Sequence, residues 1–243
     1  MANTYFKFKQ FTIHQDRCAM KVCTDACLFG ALVAHRYMDG ANSTNTLQCL
    51  DIGTGTGLLS LMFAQKNNNV HVDAIELDPA AAAQAGQNIG GSPWAENIQV
   101  IDKDLLAFDP GKSYDCIFSN PPFFEDDLQS PDEAKNKAKH HSSLNLAELV
   151  GFADKHISTD GKFAVLLPFQ RVDYFIEEAS SRAFYLTKKI LVKQTFKHKF
   201  FRGILFFGRQ PGTVVNEEIT IKKEDNEYSA EFASLLKEYY LFL

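Results

Sequence analysis

The sequence predicts an α/β fold: a mostly parallel sheet with helices on both faces, finished by an antiparallel hairpin. Three observations carry this. From residue 46 onward, short apolar runs alternate with helical stretches, the pattern of successive strand–crossover–strand units. The first run ends in a glycine-rich turn, Gly53-Thr54-Gly55-Thr56-Gly57. The last two runs are joined only by Phe196 to Lys199, too short for a parallel crossover and right for a hairpin.

The strands follow in order. Leu47 to Ile52 is the first and Val70 to Leu77 the second, ending in acid. Ile98 to Ile101, Tyr114 to Ser119 and Lys162 to Leu167 are the third, fourth and fifth. Thr187 to Thr195 and Phe200 to Gly208 form the closing hairpin, giving seven strands. A helix is predicted from Asp78 to Ile89: Asp78 suits the N-cap, Pro79 the first helical position, four alanines the interior and Gly90 the stop. The tail from Glu231 to Leu243 places Phe232, Leu235, Leu236, Tyr239 and Tyr240 at helical spacing, a docking helix.

With 243 residues and 45% hydrophobic content, the chain can bury one full core. We expect a single domain, residues 1–243, with an N-terminal extension (1–45) on a Rossmann-like core (46–243). No apolar run approaches the ~20 residues of a membrane span, and residues 1–10 lack a signal-peptide core. A cytoplasmic monomer is the expectation. The five cysteines have no Cys-x-x-Cys pair, so neither a disulfide framework nor a metal site is expected. Net charge is −5, yet residues 135–209 hold 14 Lys plus Arg against 6 Asp plus Glu. Such asymmetry suits one face meeting a polyanion, although a charge run is commonly just a solvated face.

The glycine turn carries the first site signal. Gly53, Gly55 and Gly57 form G-x-G-x-G, not the G-x-G-x-x-G that cradles a dinucleotide pyrophosphate. Asp51 precedes them; a carboxylate there would repel a pyrophosphate and attract a cationic nucleoside. Glu76, about 20 residues beyond the loop, is placed for ribose hydroxyls, and Asp104, after the third strand, for an adenine amine. Together these predict S-adenosylmethionine as cofactor. Each also has a plainer reading: a helix cap for Asp51, surface for Glu76.

Asn120-Pro121-Pro122-Phe123 follows the fourth strand. Consecutive prolines stiffen the chain and leave carbonyls without neighbouring N–H donors. With the Asn120 amide they make a rigid pair of acceptors for an –NH2 group, and Phe123 offers a face on which a base can stack. Such a site methylates a planar, weakly nucleophilic amine by positioning rather than by a strong base. Glu125-Asp126-Asp127 beyond it reads as a solvated acidic loop.

A parallel sheet finished by a hairpin is the architecture of class I methyltransferases, and the motifs narrow the match. Phe6-Lys7-Phe8-Lys9-Gln10-Phe11-Thr12-Ile13, Asp16-Arg17-Cys18-Ala19-Met20-Lys21-Val22, Thr24-Asp25 and Leu28-Phe29-Gly30-Ala31 resemble the bacterial tRNA1(Val) (adenine-N6)-methyltransferase family. The likeness continues through the glycine loop, Asn-Pro-Pro-Phe, Phe163-Ala164-Val165-Leu166-Leu167-Pro168 and the terminal Tyr240-Leu241-Phe242-Leu243. It covers almost the whole chain. It implies methylation of the exocyclic amine of the adenosine 3′ of a valine anticodon. It also puts Lys21, Thr24 and Asp25 beside the methyl-donor pocket, with residues 1–45 capping it; on its own, that block reads as a segment capping the sheet. Cys23 departs from the glycine common at that place.

A tRNA anticodon loop as partner fits the charge asymmetry. Lys188, Lys189, Lys193, Lys197, Lys199 and Arg202 crowd the closing hairpin, interleaved with Phe196, Phe200 and Phe201, a composition suited to phosphates and splayed bases. Adenine in ribosomal RNA or DNA, or a protein glutamine, uses the same amine chemistry. A nucleoside-sensing RNA-binding module is the non-enzymatic alternative.

Overall fold

The computed structural model describes residues 3–18, 21–36, 46–67, 69–122 and 145–243. Its main sheet contains strands β3 (Leu47–Ile52), β4 (Val70–Glu76), β5 (Ile98–Asp102), β6 (Tyr114–Ser119), β7 (Ile157–Pro168), β8 (Tyr185–Lys193), β9 (Phe200–Gly208) and β10 (Val215–Thr220). Their order across the sheet is β10-β8-β9-β7-β6-β3-β4-β5, and only β9 runs antiparallel to its neighbours. The expected seven strands are therefore eight. The extra one, β10, pairs parallel with β8 at the sheet edge. Its sequence, Val-Asn-Glu-Glu-Ile-Thr, is too polar to read as a strand, because an edge strand with mostly exposed residues has no need of an apolar run.

Period-two alternation divides the side chains between two cores. Cys49, Cys116, Phe118, Ala164, Leu166, Ile204 and Phe206 point to one face. Leu50, Ile117, Phe163, Val165, Leu167, Leu205 and Phe207 point to the other. The first face is covered by α1 (Thr24–Arg36), α2 (Leu58–Lys66), α3 (Pro79–Gly90) and α6 (Ala230–Leu236). The second is covered by α4 (Leu146–His156) and α5 (Val172–Ser180). The start of α3 is as predicted: the Asp78 carboxylate accepts from Ala80 N–H at 2.8 Å and Pro79 opens the helix; the stop falls one residue later, with Gly90 in the last turn and Gly91 as the cap.

The N-terminal segment forms a small hairpin, β1 (Tyr5–Lys7) with β2 (Thr12–His14), that the sequence reading treated only as a cap. It packs into the first core through Phe8, Phe11 and Ile13, with the Phe8 and Phe11 rings stacked at 4.5 Å. The C-terminal helix is shorter than the expected 231–243, ending at Leu236. Beyond it, Tyr239 is buried and donates from its hydroxyl to Met62 carbonyl oxygen at 3.0 Å, while its own carbonyl accepts from Lys9 N–H at 2.8 Å. The two ends of the chain are thus tied to each other through Tyr239, which anchors them to α2. Among the described residues, no helix is long and apolar enough to cross a membrane, and no cluster of three His, Cys, Asp or Glu could hold a metal ion.

Candidate active site

The carboxyl ends of β3 through β8 all lie on one edge of the sheet, as does the start of β9. In open α/β sheets this edge is where ligands bind. The glycine loop occupies it after β3, with φ of +71° at Gly53, +57° at Gly55 and +81° at Gly57. A Cβ at Gly53 or Gly55 would meet nothing within 4 Å, so left-handed backbone, not crowding, selects glycine there. A Cβ at Gly57 would also press on Ile89 of α3, at 3.2 Å.

The loop's donors are already engaged. Gly53 and Thr54 N–H donate to Ile75 carbonyl oxygen at 2.9 and 3.0 Å, Gly57 N–H to Thr54 carbonyl oxygen at 2.9 Å, and Gly55 N–H to Glu76 Oε2 at 2.8 Å. N–H groups committed to Ile75, Glu76 and Thr54 are not free to cradle a phosphate, as the spacing predicts. Glu76 Oε1 accepts from Leu77 and Asp78 N–H, both at 3.0 Å. Three of about four acceptor sites on a carboxylate are then filled, leaving room for one hydroxyl without displacing Gly55.

Asp51 lies beneath the loop, 0% exposed. Its Oδ2 accepts from Thr54 Oγ1 and Ser60 Oγ, both at 2.7 Å, while Oδ1 is buried with no partner. Burial is the main cause pushing this carboxyl up to about 6, against the two hydroxyls that favour its charged form. The side chain therefore acts as loop organiser and as a buried, incompletely satisfied acid, with no surface for direct docking. Asp104 sits after β5, exposed, and caps the turn Leu105–Ala107 by accepting from Leu106 N–H at 2.9 Å. A cap role alone accounts for that bond, and the residue stands exposed at the same strand-end edge.

Asn120 and Pro121 follow β6, beside β3, with Ile52 paired to Ser119. The Ser119 hydroxyl donates to Ile52 carbonyl oxygen at 2.9 Å and ties the two strand ends together. Asn120 Oδ1 is buried without a partner. Among the described residues only Asp51 Oδ1, Gln65 Oε1 and Asn120 Oδ1 share that condition, and two of the three sit at these neighbouring strand ends. A buried acceptor left unmade costs about 1–3 kcal/mol, so the pair marks a place for a donor. Pro122 is exposed. Phe123 and Glu125-Asp126-Asp127 lie outside the described residues.

The N-terminal segment reaches this edge. Asp25, in the first turn of α1, is buried and paired with Arg202 Nε at 2.7 Å. Thr24 is half-buried beside it, and Lys21 is exposed. Cys23 costs no strain in place of glycine: the left-handed non-glycine residues among those described are Ala183 and Asn226. Burial and Asp25 push the Cys23 thiol up to about 12.

Three buried amides that sequence reasoning passed over hold this segment down. Asn88 accepts from His14 N–H at 2.9 Å and donates to the carbonyl oxygens of His14 and Thr56, each at 2.9 Å, joining hairpin, α3 and glycine loop. Gln84 accepts from Arg17 N–H and Gln15 from Val22 N–H, both at 2.8 Å. The available signal was Gln84 and Asn88, four apart on the otherwise alanine-rich inner face of α3.

The expected basic surface is changed by β10. Lys188 pairs with Glu217 at 2.7 Å, Lys193 with Glu218 at 2.8 Å, and Lys197 with Glu224 at 3.1 Å. Lys188 and Lys189 lie midway along β8, away from the strand-end edge; Lys193, Lys197 and Lys199 reach it. Arg202, expected with the lysines, is instead engaged by Asp25 and belongs with the N-terminal group.

Residues 37–167 match the model of the methyltransferase small domain. A tRNA1(Val) (adenine(37)-N6)-methyltransferase of Dyadobacter fermentans is 39% identical over 243 residues, spanning 98% of this chain and 98% of the relative. The protein of that name from Bacteroides thetaiotaomicron is 38% identical, spanning 100% of both. A predicted O-methyltransferase from Agrobacterium tumefaciens superposes with a TM-score of 0.67 at 14% identity, covering 88% of this chain and 96% of the other. The type I restriction-modification methyltransferase subunit of Streptococcus thermophilus gives 0.64 at 16% identity, covering 91% and 53%. These two likenesses speak for the class I methyltransferase fold. Sequence identity along the full length goes further: the chain belongs to the tRNA1(Val) (adenine(37)-N6)-methyltransferase family.

Proposed function

We propose that this protein is an S-adenosylmethionine-dependent methyltransferase that modifies the exocyclic N6 amine of adenosine 37 in tRNA1(Val). The observation that carries it is the buried, unpartnered Asn120 Oδ1 at the end of β6, beside the glycine loop. An amide oxygen there accepts a hydrogen bond from an –NH2 group, and the rigid Pro121-Pro122 backbone adds a carbonyl acceptor. Held by two acceptors, the amine keeps its lone pair out of the ring and aimed at the methyl group. The product ammonium is acidic enough to lose its proton without a dedicated base, so positioning dominates.

The cofactor fits the residues present. S-adenosylmethionine, when bound, supplies an electrophilic methyl group on a positively charged sulfur. Asp51 offers a negative charge close beneath the loop. Gly53, Gly55 and Gly57 hold the backbone in a left-handed shape that side chains rarely adopt. Glu76 would accept from the ribose and Asp104 from the adenine amine. Lys21, Thr24 and Asp25 border the pocket from the extension, residues 1–45, which with the core forms one domain. Lys193, Lys197 and Lys199 meet the anticodon-loop backbone, with Lys188 and Lys189 farther out. A cytoplasmic monomer suffices for this chemistry.

The test is transfer of labelled methyl groups to bulk tRNA from cells lacking the protein, followed by nucleoside analysis. We expect N6-methyladenosine at position 37 of tRNA1(Val). Labelling of ribosomal RNA, DNA or a protein glutamine, with none in tRNA, would overturn the substrate while retaining the chemistry.

A further inference from the structure

Most phenylalanines of this chain are deep in the cores; Phe163, Phe175, Phe184, Phe206 and Phe207 are under 2% exposed. Phe169 is not. It follows β7 in the short turn Phe169–Arg171 and stands 39% exposed. Its ring lies 5.6 Å from that of Phe200, at the start of β9, with the planes 36° apart. Lys193 Nζ sits 4.2 Å from the centre of the Phe200 ring. One step along the hairpin turn, Phe196 is 55% exposed with Lys197 Nζ 5.4 Å from its ring centre.

The position of this cluster is set by strand register. β6 and β7 are adjacent and parallel, with Ser119 opposite Val165. From that pair, β7 runs three residues further, to Pro168, which faces Arg202 of β9. Asn120 and Phe169 therefore leave adjacent strands at the same edge, ~5 Å apart laterally, with Phe169 standing about 10 Å further out along the strand direction. With 39% of its surface open and one side against Phe200, the Phe169 ring keeps a face available to a base.

We propose that Phe169, backed by Phe200 and Lys193, is a stacking platform for the unpaired base next to the methylated adenosine. This rests on the RNA reading above and extends it to a second nucleotide. A target adenosine taken into a pocket leaves its neighbour without a stacking partner. An exposed aromatic face replaces that partner for any base, and the cation behind it adds attraction to the nearby backbone phosphate. The platform thus holds the loop in its opened form and acts on substrate positioning, not on the cofactor.

The experiment uses the full-length protein, an anticodon stem-loop RNA of tRNA1(Val), and two further copies with fluorescent 2-aminopurine at position 36 or 38. Binding should quench the probe at one of these positions. Phe169→Ala should abolish that quenching and lower kcat/KM for RNA methylation about tenfold to a hundredfold, with Kd for S-adenosylmethionine unchanged. Phe169→Trp should restore both, which a merely structural role would not do. Normal kcat/KM and normal quenching in Phe169→Ala, with the unaltered protein active, would overturn the platform alone. No binding or methylation of the RNA by the unaltered protein would overturn the RNA reading, and the platform with it.

Discussion

At the β3–β4 end of the strand edge, acidic side chains are fixed by neighbouring donors: Asp51 by Thr54 and Ser60, Glu76 by Gly55, Leu77 and Asp78. At the β8–β10 end, lysines are fixed by other charged side chains: Lys188 by Glu217, Lys193 by Glu218, Lys197 by Glu224. Backbone and hydroxyl bonds inside a core keep one geometry. Exposed ion pairs are worth little and exchange partners readily. The first end suits one small ligand held in one pose. Under the proposed function, the second would release its cations to a longer polyanion whose phosphates compete with the glutamates.

The junction between the two ends should be the most sensitive point. Asn120→Ala removes the acceptor that orients the amine, and should cut kcat by ~10²-fold or more. Cofactor affinity should stay near normal, since Asn120 follows β6 while the proposed cofactor groups lie at the ends of β3, β4 and β5 and in the N-terminal segment. Single-turnover methylation together with calorimetric cofactor titration checks both halves. Turnover within a few-fold of normal would dissolve the assigned mechanism.

Next in size is a pH effect confined to the rigid end. Burial raises the Asp51 carboxyl to about 6, so without ligand it is protonated below that pH. A cationic cofactor favours the charged form and must displace the proton at lower pH. Affinity for S-adenosylmethionine should therefore fall about tenfold from pH 7 to pH 5 and be level above pH 7. Stability carries the opposite sign. The folded chain holds this proton more tightly than the unfolded one, so the contribution of Asp51 declines as pH rises from about 4 to 6 and is constant beyond. Asp51→Asn should flatten the affinity profile; an unchanged slope in that variant would show that another group titrates.

How these two ends differ also explains how far the sequence could be read. Strand ends with Asp51, Gly53 to Gly57, Glu76 and Asn120 were legible because their chemistry is local: a turn that needs positive φ, an acid after a strand, two prolines. The lysine end was legible only as composition. Pairing of Lys188 and Lys193 depends on β10, whose polar sequence carries no strand signal, and on a parallel register between distant segments. Arg202 was read with the lysines for the same reason: its partner, Asp25, is 177 residues away. Asn88 was missed because a buried amide with three backbone bonds has the same letter as a solvated one.

A smaller effect tests the lysines that reach the edge. Lys197→Ala with Lys199→Ala should weaken binding of all tRNAs alike and reduce the slope of log affinity against log salt by about 1.5. Lys197 now gives up only an exposed pair with Glu224, so stability should change little. A selective loss for one tRNA would mean that these residues read sequence or shape rather than phosphate.

The smallest effect separates a releasable pair from a structural one. Glu218→Gln leaves Lys193 in place over Phe200 but removes its carboxylate partner, at 2.8 Å. If phosphate and glutamate compete for that ammonium, RNA affinity should rise a few-fold at low salt and the salt slope should steepen. If the pair instead holds Lys193 in position, affinity should fall, because a freed side chain must be ordered again on binding. The sign of the change, measured across a salt series with cofactor affinity as an internal control, decides whether β10 screens the substrate surface or builds it.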